Sequence, residues 1–262
     1  HPDERSIYMR ADCMYRTLVE SVGWQSCQNR DFPLDEPGLP NMSTFFDKDA
    51  SPLNPHWFPL GTIVIYVLVA VRAALELVMD QVRLQDLATA GRMIAAFADT
   101  ASVVLMAFLG RRLFGSATGL LASLLLAFSV INIQVTHFYR PESFVILLAL
   151  AAFWWMLNVL DRGSWRDHAV LGVIIGVTFA FRGSSLPILA PIALTYVVLT
   201  HRQVKHSRFV SAFVSEVLPR ALVAGGLALA VFAVLQPYAI LDYYKYFGDL
   251  GWEAGIARTA GL

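Results

Sequence analysis

Long apolar runs alternate with short polar connections over most of the chain, and this pattern predicts membrane-spanning helices. A spanning helix needs about 20 mostly apolar residues. Four stretches meet this requirement: Arg92–Leu109, Ala117–Thr136, Ser143–Leu160 and Ala221–Leu235. Between the last two lie the shorter runs Ala169–Phe181 and Ser185–Thr200, separated by Arg182-Gly183-Ser184. We interpret these runs as a helical hairpin whose tip is partly sunk in the membrane, which is tolerated where the tip lines a cavity.

The segment Leu60–Met79 is apolar enough to cross the membrane, but its charged residues favour a different placement. Arg72 and Glu76 are four residues apart and share one helix face. A crossing would also place Arg111 and Arg112 on the outer side, although Lys and Arg remain on the cytoplasmic side. We therefore predict an interfacial amphipathic helix over 59–80, with a full span as the alternative.

The basic residues also predict the orientation of the bundle. One set of connections is rich in them: Arg111, Arg112, Arg162, Arg166, Arg202, Lys205, Arg208 and Arg220. The opposite set contains the turn His137–Glu142, then Arg182, then the residues from Gln236 onward. We expect the first set to be cytoplasmic, and the second set to share the outer face with residues 1–58.

Composition supports this interpretation and excludes other classes. Of the 262 residues, 56% are hydrophobic and 15% are charged, against about 25% charged in soluble domains. The formal net charge of +0 gives no basic footprint for nucleic acid. Residues 1–58 carry nine acidic and five basic side chains. The sequence thus predicts an all-α polytopic membrane helix bundle over 92–236, an acidic extracytoplasmic loop with short amphipathic helices over 1–58, and the start of another such loop over 237–262.

The beginning of the chain and its two cysteines carry further expectations. The chain begins at His1 without a Met or a signal segment, so we expect a window of a longer protein with a span before His1. Cys13 and Cys27 both lie in the predicted outer loop. A disulfide would close a loop of about 15 residues and stabilise the fold by roughly 3 kcal/mol; two free thiols are the alternative.

Acidic residues on the expected outer face are candidates for general-base chemistry. Asp3 and Glu4 stand at the start of the chain, and Glu142 follows Pro141 in the first turn of a helix, where a carboxylate is favoured. Ionisable residues at membrane depth are costly and mark sites. Two carboxylates on one cavity could deprotonate and orient an acceptor, whereas the alternative for Asp3 and Glu4 is a solvated surface.

Arginine residues on the same face are candidate phosphate ligands. Arg140 and Arg182 lie near helix ends, and a guanidinium binds phosphate through two parallel hydrogen bonds. The alternative for Arg140 is a structural ion pair with Glu142 or Glu4. Asp99 lies seven residues from Arg92 and could either pair with it or face the cavity.

Aromatic and histidine residues mark the boundary between the acidic loop and the apolar helix. In Asn54-Pro55-His56-Trp57-Phe58-Pro59, Trp57 and Phe58 are expected to anchor at the membrane interface. His56 could also hold a divalent metal together with His1, Asp3, Glu4 and His137, although no spacing matches a fixed ligand motif.

Five strings in this order give the chain a family resemblance. The chain resembles membrane glycosyltransferases of the GT-C class in these strings, which are HPDE, LNPHWFP, GRRLFGSATGLLASLLLAFS, THFYRPESFVILLALAAFWW and LQPYAILDYYKYFGDLGWEA. The most similar group comprises bacterial relatives of protein O-mannosyltransferases and aminoarabinose transferases. The resemblance implies transfer of a sugar from a polyprenyl-phosphate lipid to an acceptor hydroxyl, at the outer face of the cytoplasmic membrane and with inversion. The acceptor could be a protein, a lipid or a glycan, and the scheme requires no metal cofactor.

The resemblance also implies roles for individual residues. Asp3 takes the place of the catalytic base, Glu4 supports or orients it, and Glu142 occupies the place of a second outer-face acid. Arg182 stands where relatives have a lysine near the lipid phosphate. With Arg140, the residues His56, His137 and Tyr139 complete the expected substrate- and phosphate-binding group.

Two departures from the family pattern bear on the substrate. Glu142 replaces the usual Asp, and Asp99 replaces a small residue.

Two rival functions use the same residues differently. In a transporter or flippase for lipid-linked or anionic solutes, Asp99, Arg182 and Glu142 would line a pathway, but inverted repeats are expected there and none is visible. The other rival is a non-catalytic membrane subunit.

Overall fold

The computed structural model describes residues 2–19, 42–203, 211 and 213–259, and for Pro2, Asp3, Gln203 and 257–259 it describes the backbone only. The described part contains no β-strand, and the all-α prediction is confirmed. The helices are α1 (Pro2–Val19), α2 (Met42–Phe46), α3 (Ile63–Glu76), α4 (Leu84–Phe114), α5 (Ser116–Ala127), α6 (Val130–Thr136), α7 (Pro141–Asp161), α8 (Trp165–Phe181), α9 (Leu189–Gln203), α10 (Leu218–Leu235), α11 (Tyr238–Leu241) and α12 (Tyr243–Thr259).

Three helical segments in the described residues are long and apolar enough to cross a membrane. They are α4, α7 and the segment Phe213–Leu235, in which a π-helical turn (Phe213–Val217) precedes α10. Helices α5 and α6 meet the same criterion together but are bent by 58°. The spanning stretch predicted over Ala117–Thr136 is therefore present as two helices, because the backbone leaves helical geometry at Phe128 (φ −94°, ψ 4°).

The predicted hairpin is present as two helices joined by a turn. Helix α8 begins after Ser164, whose hydroxyl accepts the backbone N–H of Asp167, and it ends where Arg182 adopts an extended conformation. A short 3-10 turn (Leu186–Ile188) then leads into α9. Pro187 stands in that turn, where no helical hydrogen bond is lost. Immersion of the tip in the membrane stays a prediction.

The described chain forms two compact units. The first unit comprises His1–Phe97, Ile133–Ser143 and Gln236–Leu262. In it, α1 packs against α3, and the buried face of α3 carries Val64, Ile65 and Leu68. Arg72 and Glu76 share one face of α3 as predicted, where they form an ion pair, and Arg72 also donates to Asp12 of α1 over 3.0 Å.

Part of the first unit is more helical than the sequence predicted. Residues 237–262 were predicted to begin a loop, but they form α11 and α12 as far as Thr259. The interfacial helix predicted over 59–80 is present as the shorter α3, which begins at Ile63 and ends at Glu76. Its position on the membrane surface stays a prediction.

The second unit comprises Ala98–Asn132 and Phe144–Leu235. Its closest packing joins α8 to α10, where two glycines of α8 face the backbone of the other helix. A Cβ at Gly172 would lie 2.9 Å from the Ala224 Cα, and a Cβ at Gly176 would lie 2.8 Å from the Val231 Cβ. Because real Cβ contacts are longer, glycine at these positions lets the two backbones approach.

Candidate functional site

A buried glutamate on α1 holds three parts of the first unit together. The Glu4 carboxylate accepts two hydrogen bonds from the Arg92 guanidinium of α4, each 2.9 Å long. It also accepts the Tyr8 hydroxyl at 2.6 Å and the backbone N–H of Tyr139 at 2.9 Å. Glu4 is 2% exposed, and these four donors compensate for the removal of its charge from water.

The bond to Tyr139 brings the acidic start of α1 to the turn between α6 and α7. The side chain of Tyr139 is fully buried, and its hydroxyl donates to the carbonyl oxygen of Val64 over 3.0 Å. Gly91 of α4 makes room for this arrangement. A Cβ at Gly91 would lie 3.1 Å from both the Tyr139 Cγ and the Tyr8 Cε1, which is tighter than ordinary contact. The geometry therefore places Glu4 beside the Tyr139-Arg140-Pro141-Glu142 corner.

The surroundings of Glu4 keep it ionised. Burial alone would raise the pKa of Glu4, but the hydrogen bonds from Arg92, Tyr8 and the backbone of Tyr139 outweigh burial and hold the pKa below its ordinary value. Burial and the adjacent Glu4 carboxylate raise the pKa of Tyr8, so Tyr8 stays a neutral donor. A carboxylate whose oxygens are already engaged, and whose pKa is lowered, is suited to holding its neighbours in place.

The corner itself is organised by an ion pair. Pro141 opens α7, and Glu142 lies in the first helical turn as predicted. The Arg140 Nη2 lies 2.9 Å from the Glu142 Oε1, and both side chains are about one fifth exposed (22% each). This structural ion pair is the alternative expected for Arg140 from the sequence. His137 is exposed, with its Nδ1 2.6 Å from the carbonyl oxygen of Ile133.

A second polar cluster in the same unit surrounds His56. The Asn54 side chain is fully buried; its Oδ1 accepts the backbone N–H of His56 at 3.1 Å, and its Nδ2 donates to the Asp242 Oδ2 at 3.2 Å. The His56 Nδ1 lies 3.7 Å from the same Asp242 oxygen. His56 has a φ of 46°, a left-handed conformation that costs energy for a non-glycine residue. Burial lowers the pKa of His56, although the charge of Asp242 opposes the shift.

Helix α1 also contacts the aromatic part of this segment. Arg10 is 4% exposed, donates to the carbonyl oxygen of Pro55 over 3.0 Å, and has its Cζ 5.1 Å from the centre of the Trp57 ring. Phe58 is 1% exposed and packs edge-on against Tyr246, with ring centres 5.7 Å apart. The prediction that Phe58 anchors the chain at the membrane interface is therefore wrong, because its ring is inside the first unit.

Two predicted residues belong to the second unit. Arg182 lies at the hairpin turn, where its Nε donates to the Ser184 hydroxyl over 3.0 Å. Asp99 accepts a hydrogen bond from the Asn132 amide at 2.5 Å, while Arg92 is bound to Glu4. Of the two alternatives for Asp99, the pair with Arg92 does not form.

Some predicted residues lie outside the described part of the structure. These are His1, Cys27 and the side chain of Asp3. Cys13 is disulfide-bonded, which agrees with the disulfide alternative. Among the described residues, no group of three His, Cys, Asp or Glu side chains could hold a metal ion.

Sequence reasoning missed Arg92, Tyr8 and Asp242 as parts of these clusters. Arg92 is 88 positions from Glu4, and Asp242 is 188 positions from Asn54, so no local spacing connects them. Tyr8 lies four residues after Glu4 on α1, and this spacing could have identified the contact.

The comparison with protein families defines the class of this chain. Residues 71–235 match the family described as dolichyl-phosphate-mannose-protein mannosyltransferase. The match covers more than half of the chain, which therefore belongs to this family of GT-C class membrane glycosyltransferases. No curated protein and no solved structure matches the chain. The matched range includes the Tyr139–Glu142 corner and Arg182, whereas Asp3, Glu4 and His56 precede it.

Proposed function

We propose that the chain transfers a hexosyl or pentosyl group from a polyprenyl-phosphate lipid to an acceptor hydroxyl at the extracytoplasmic face of the cytoplasmic membrane. The observation that carries the proposal is the 2.9 Å hydrogen bond from the Tyr139 backbone to Glu4. It joins the Asp3-Glu4 pair to a corner that lies within the family match. The resemblance stated from sequence assigns acids to both of these places.

In the proposed reaction, the Asp3 carboxylate takes the proton of the acceptor hydroxyl. The acceptor oxygen forms a bond to the anomeric carbon as the bond from that carbon to the phosphate oxygen breaks, with inversion. The electron pair leaves with the polyprenyl phosphate, and positive groups near that phosphate stabilise the developing charge. The phosphate is already a good leaving group, so the proposed scheme needs no metal.

Glu4 acts in this scheme as a positioning residue, because its oxygens are occupied by Arg92, Tyr8 and the Tyr139 backbone. Four donated hydrogen bonds and a pKa held below its ordinary value make Glu4 a weaker base than a carboxylate without such partners. The role of base therefore falls to Asp3, which precedes Glu4 on the same helix.

Glu142 and Arg140 supply the second acid and a phosphate ligand at the corner. Their ion pair at 2.9 Å orients each side chain before substrate arrives, and one fifth of each remains exposed. His137 and His56 complete the proposed substrate-binding group in the first unit, and the buried Tyr139 holds the corner beside them. In the second unit, Arg182 at the hairpin turn stays a predicted phosphate ligand.

The test uses the full-length protein in proteoliposomes supplied with polyprenyl-phosphate-linked sugars and a membrane extract as the source of acceptor. We expect Asp3→Asn to lower sugar transfer at least about 100-fold while donor binding is retained. Asp80→Asn is the matched control, because Asp80 is exposed and has no hydrogen-bond partner in the described residues. Unchanged transfer by Asp3→Asn would eliminate the base assignment. Solute uptake without sugar transfer would favour the transporter instead.

A further inference from the structure

A basic cleft lies at the end of the second unit where α7 turns into α8. Its volume is about 630 Å³, and its lining includes Arg162, Ser164, Trp165, Arg166, Asp167 and Trp155. Helix α7 is long and apolar enough to cross a membrane and ends at Asp161, so a spanning α7 would bring the cleft to the level of the lipid headgroups. The proposed sugar-transfer reaction uses none of these residues.

The turn that shapes the cleft depends on a glycine. Gly163 has a φ of 59°, a conformation that side chains with a Cβ rarely adopt. The Arg162 N–H bonds back to the carbonyl oxygen of Asn158 over 2.9 Å, which closes the end of α7. Helix α8 then begins within two residues, with Ser164 as its cap.

One arginine of the cleft is held in an ion pair and the other is not. Arg162 is held by the Asp167 Oδ1 at 2.9 Å, and the other Asp167 oxygen accepts the Ser164 hydroxyl at 2.6 Å. Asp167 is 5% exposed and both of its oxygens accept hydrogen bonds, so it offers no free oxygen to repel an anion. The exposed carboxylates of Asp161 and Glu216 are paired with Arg112 and Arg220. Arg166 is exposed and has no hydrogen-bond or ion-pair partner in the described part of the chain.

A buried donor in the cleft also lacks an acceptor. The Trp155 indole N–H is buried and makes no hydrogen bond within the described structure. Such orphaned donors are rare, because an unmade buried hydrogen bond costs about 1–3 kcal/mol. From α10, the Arg220 guanidinium lies 5.7 Å from the centre of the Trp165 ring, and its buried Nε likewise has no partner there.

We infer that this cleft binds the phosphate group of an anionic phospholipid, with Arg162 and Arg166 as its charged ligands and the Trp155 indole N–H as a further donor. Arginine forks match phosphate oxygens, and basic pockets between membrane helices bind anionic headgroups. Tryptophan and arginine side chains are both favoured at the depth where a spanning helix ends. The indole N–H is inaccessible to solvent, so a headgroup oxygen would satisfy it only after the Trp155 ring rotates toward the cleft.

The test measures binding of phosphatidylglycerol to the full-length protein in detergent by native mass spectrometry, with phosphatidylcholine as the neutral lipid. We expect Arg166→Ala to weaken phosphatidylglycerol binding about tenfold or more and Trp155→Phe about fivefold, with no effect on phosphatidylcholine. Arg111→Ala is the matched control, because Arg111 is an exposed arginine at the end of α4 outside the cleft. We expect it to bind phosphatidylglycerol as the unchanged protein does.

Two results would overturn the inference. Equal weakening by Arg166→Ala and Arg111→Ala would show that only the overall positive charge attracts the lipid. Binding of glycerol phosphate alone as tightly as phosphatidylglycerol would assign the cleft to a soluble phosphate compound instead, because the acyl chains of the lipid would then contribute nothing. The conservative Trp155→Phe keeps an aromatic ring in place, and a monodisperse elution profile establishes that each variant is folded.

Discussion

Replacing Glu4 by glutamine is expected to destabilise the first unit by about 2–3 kcal/mol, the range for hydrogen bonds to a charged group. The glutamine keeps one oxygen for Tyr8, the Tyr139 backbone and the Arg92 Nε, but it presents an NH₂ group to the Arg92 Nη2 donor. The loss stays below that of a fully buried ion pair, because the Arg92 side chain is 49% exposed and can be rehydrated, whereas Glu4 is only 3% exposed.

The assay is thermal unfolding of the detergent-solubilised full-length protein, followed by intrinsic fluorescence. A loss of about 2–3 kcal/mol corresponds to a decrease of roughly 4–12 °C in Tm for a chain of this size. Asp80→Asn removes an exposed carboxylate without a described partner and is expected to change stability by less than about 0.5 kcal/mol.

A double-mutant cycle then separates the pair from its surroundings. Arg92→Gln leaves the buried Glu4 charge without its main partner, so we expect the combined variant to lose less stability than the sum of the two single losses, by at least about 1 kcal/mol. Additive losses, or a Tm decrease for Glu4→Gln no larger than that of Asp80→Asn, would refute the assignment of Glu4 as the organising group.

Three further predictions concern other contacts. The pKa of His56 is lowered in the folded protein, so the unfolded chain binds the proton more readily and stability should fall as pH decreases below about 6.5. His56→Gln should flatten the dependence of Tm on pH between about 7 and 5. An unchanged slope in that variant would contradict this prediction. Gly172→Ala should lower the free energy of unfolding by about 1–3 kcal/mol, because the added methyl group overpacks against α10. Gly225→Ala has open space around it and should be neutral or slightly stabilising. Equal Tm values for the two variants would argue against the close packing. Tyr139→Phe removes the buried hydrogen bond from the hydroxyl to the Val64 carbonyl oxygen and should lower the free energy of unfolding by about 1–3 kcal/mol. Tyr244→Phe, at an exposed tyrosine, is its control. Indistinguishable melting curves for the two variants would count against the hydrogen bond to Val64.

The sequence predicts those parts of the fold that depend on neighbouring residues. The apolar runs identify α4, α7 and α10, because a spanning helix is defined within about 20 residues. The pair of Arg72 and Glu76 is also local, since it follows from a spacing of four. The bend near Phe128 escapes prediction, because neither proline nor glycine stands there and the apolar pattern continues through it.

The candidate site depends on distant pairings, and these are the part that sequence cannot supply. The corner from Tyr139 to Glu142 could be identified as a helix start, but its contact with Glu4 joins residues 135 positions apart. For Phe58, the local sequence pattern predicts the wrong environment. Beside a tryptophan and before an apolar helix it has the sequence context of an interfacial anchor, yet packing against Tyr246 buries it.

The link between Glu4 and residue 139 runs to the main chain, so the bond itself does not depend on which side chain stands at that position. Only proline, which lacks the amide proton, would abolish the bond. Related chains that fill the same buried space with another large side chain would therefore inherit the spacing between the two acidic segments unchanged. Correlated substitution between positions 4 and 139 should then be absent from an alignment of such relatives, even though the two residues are in direct contact.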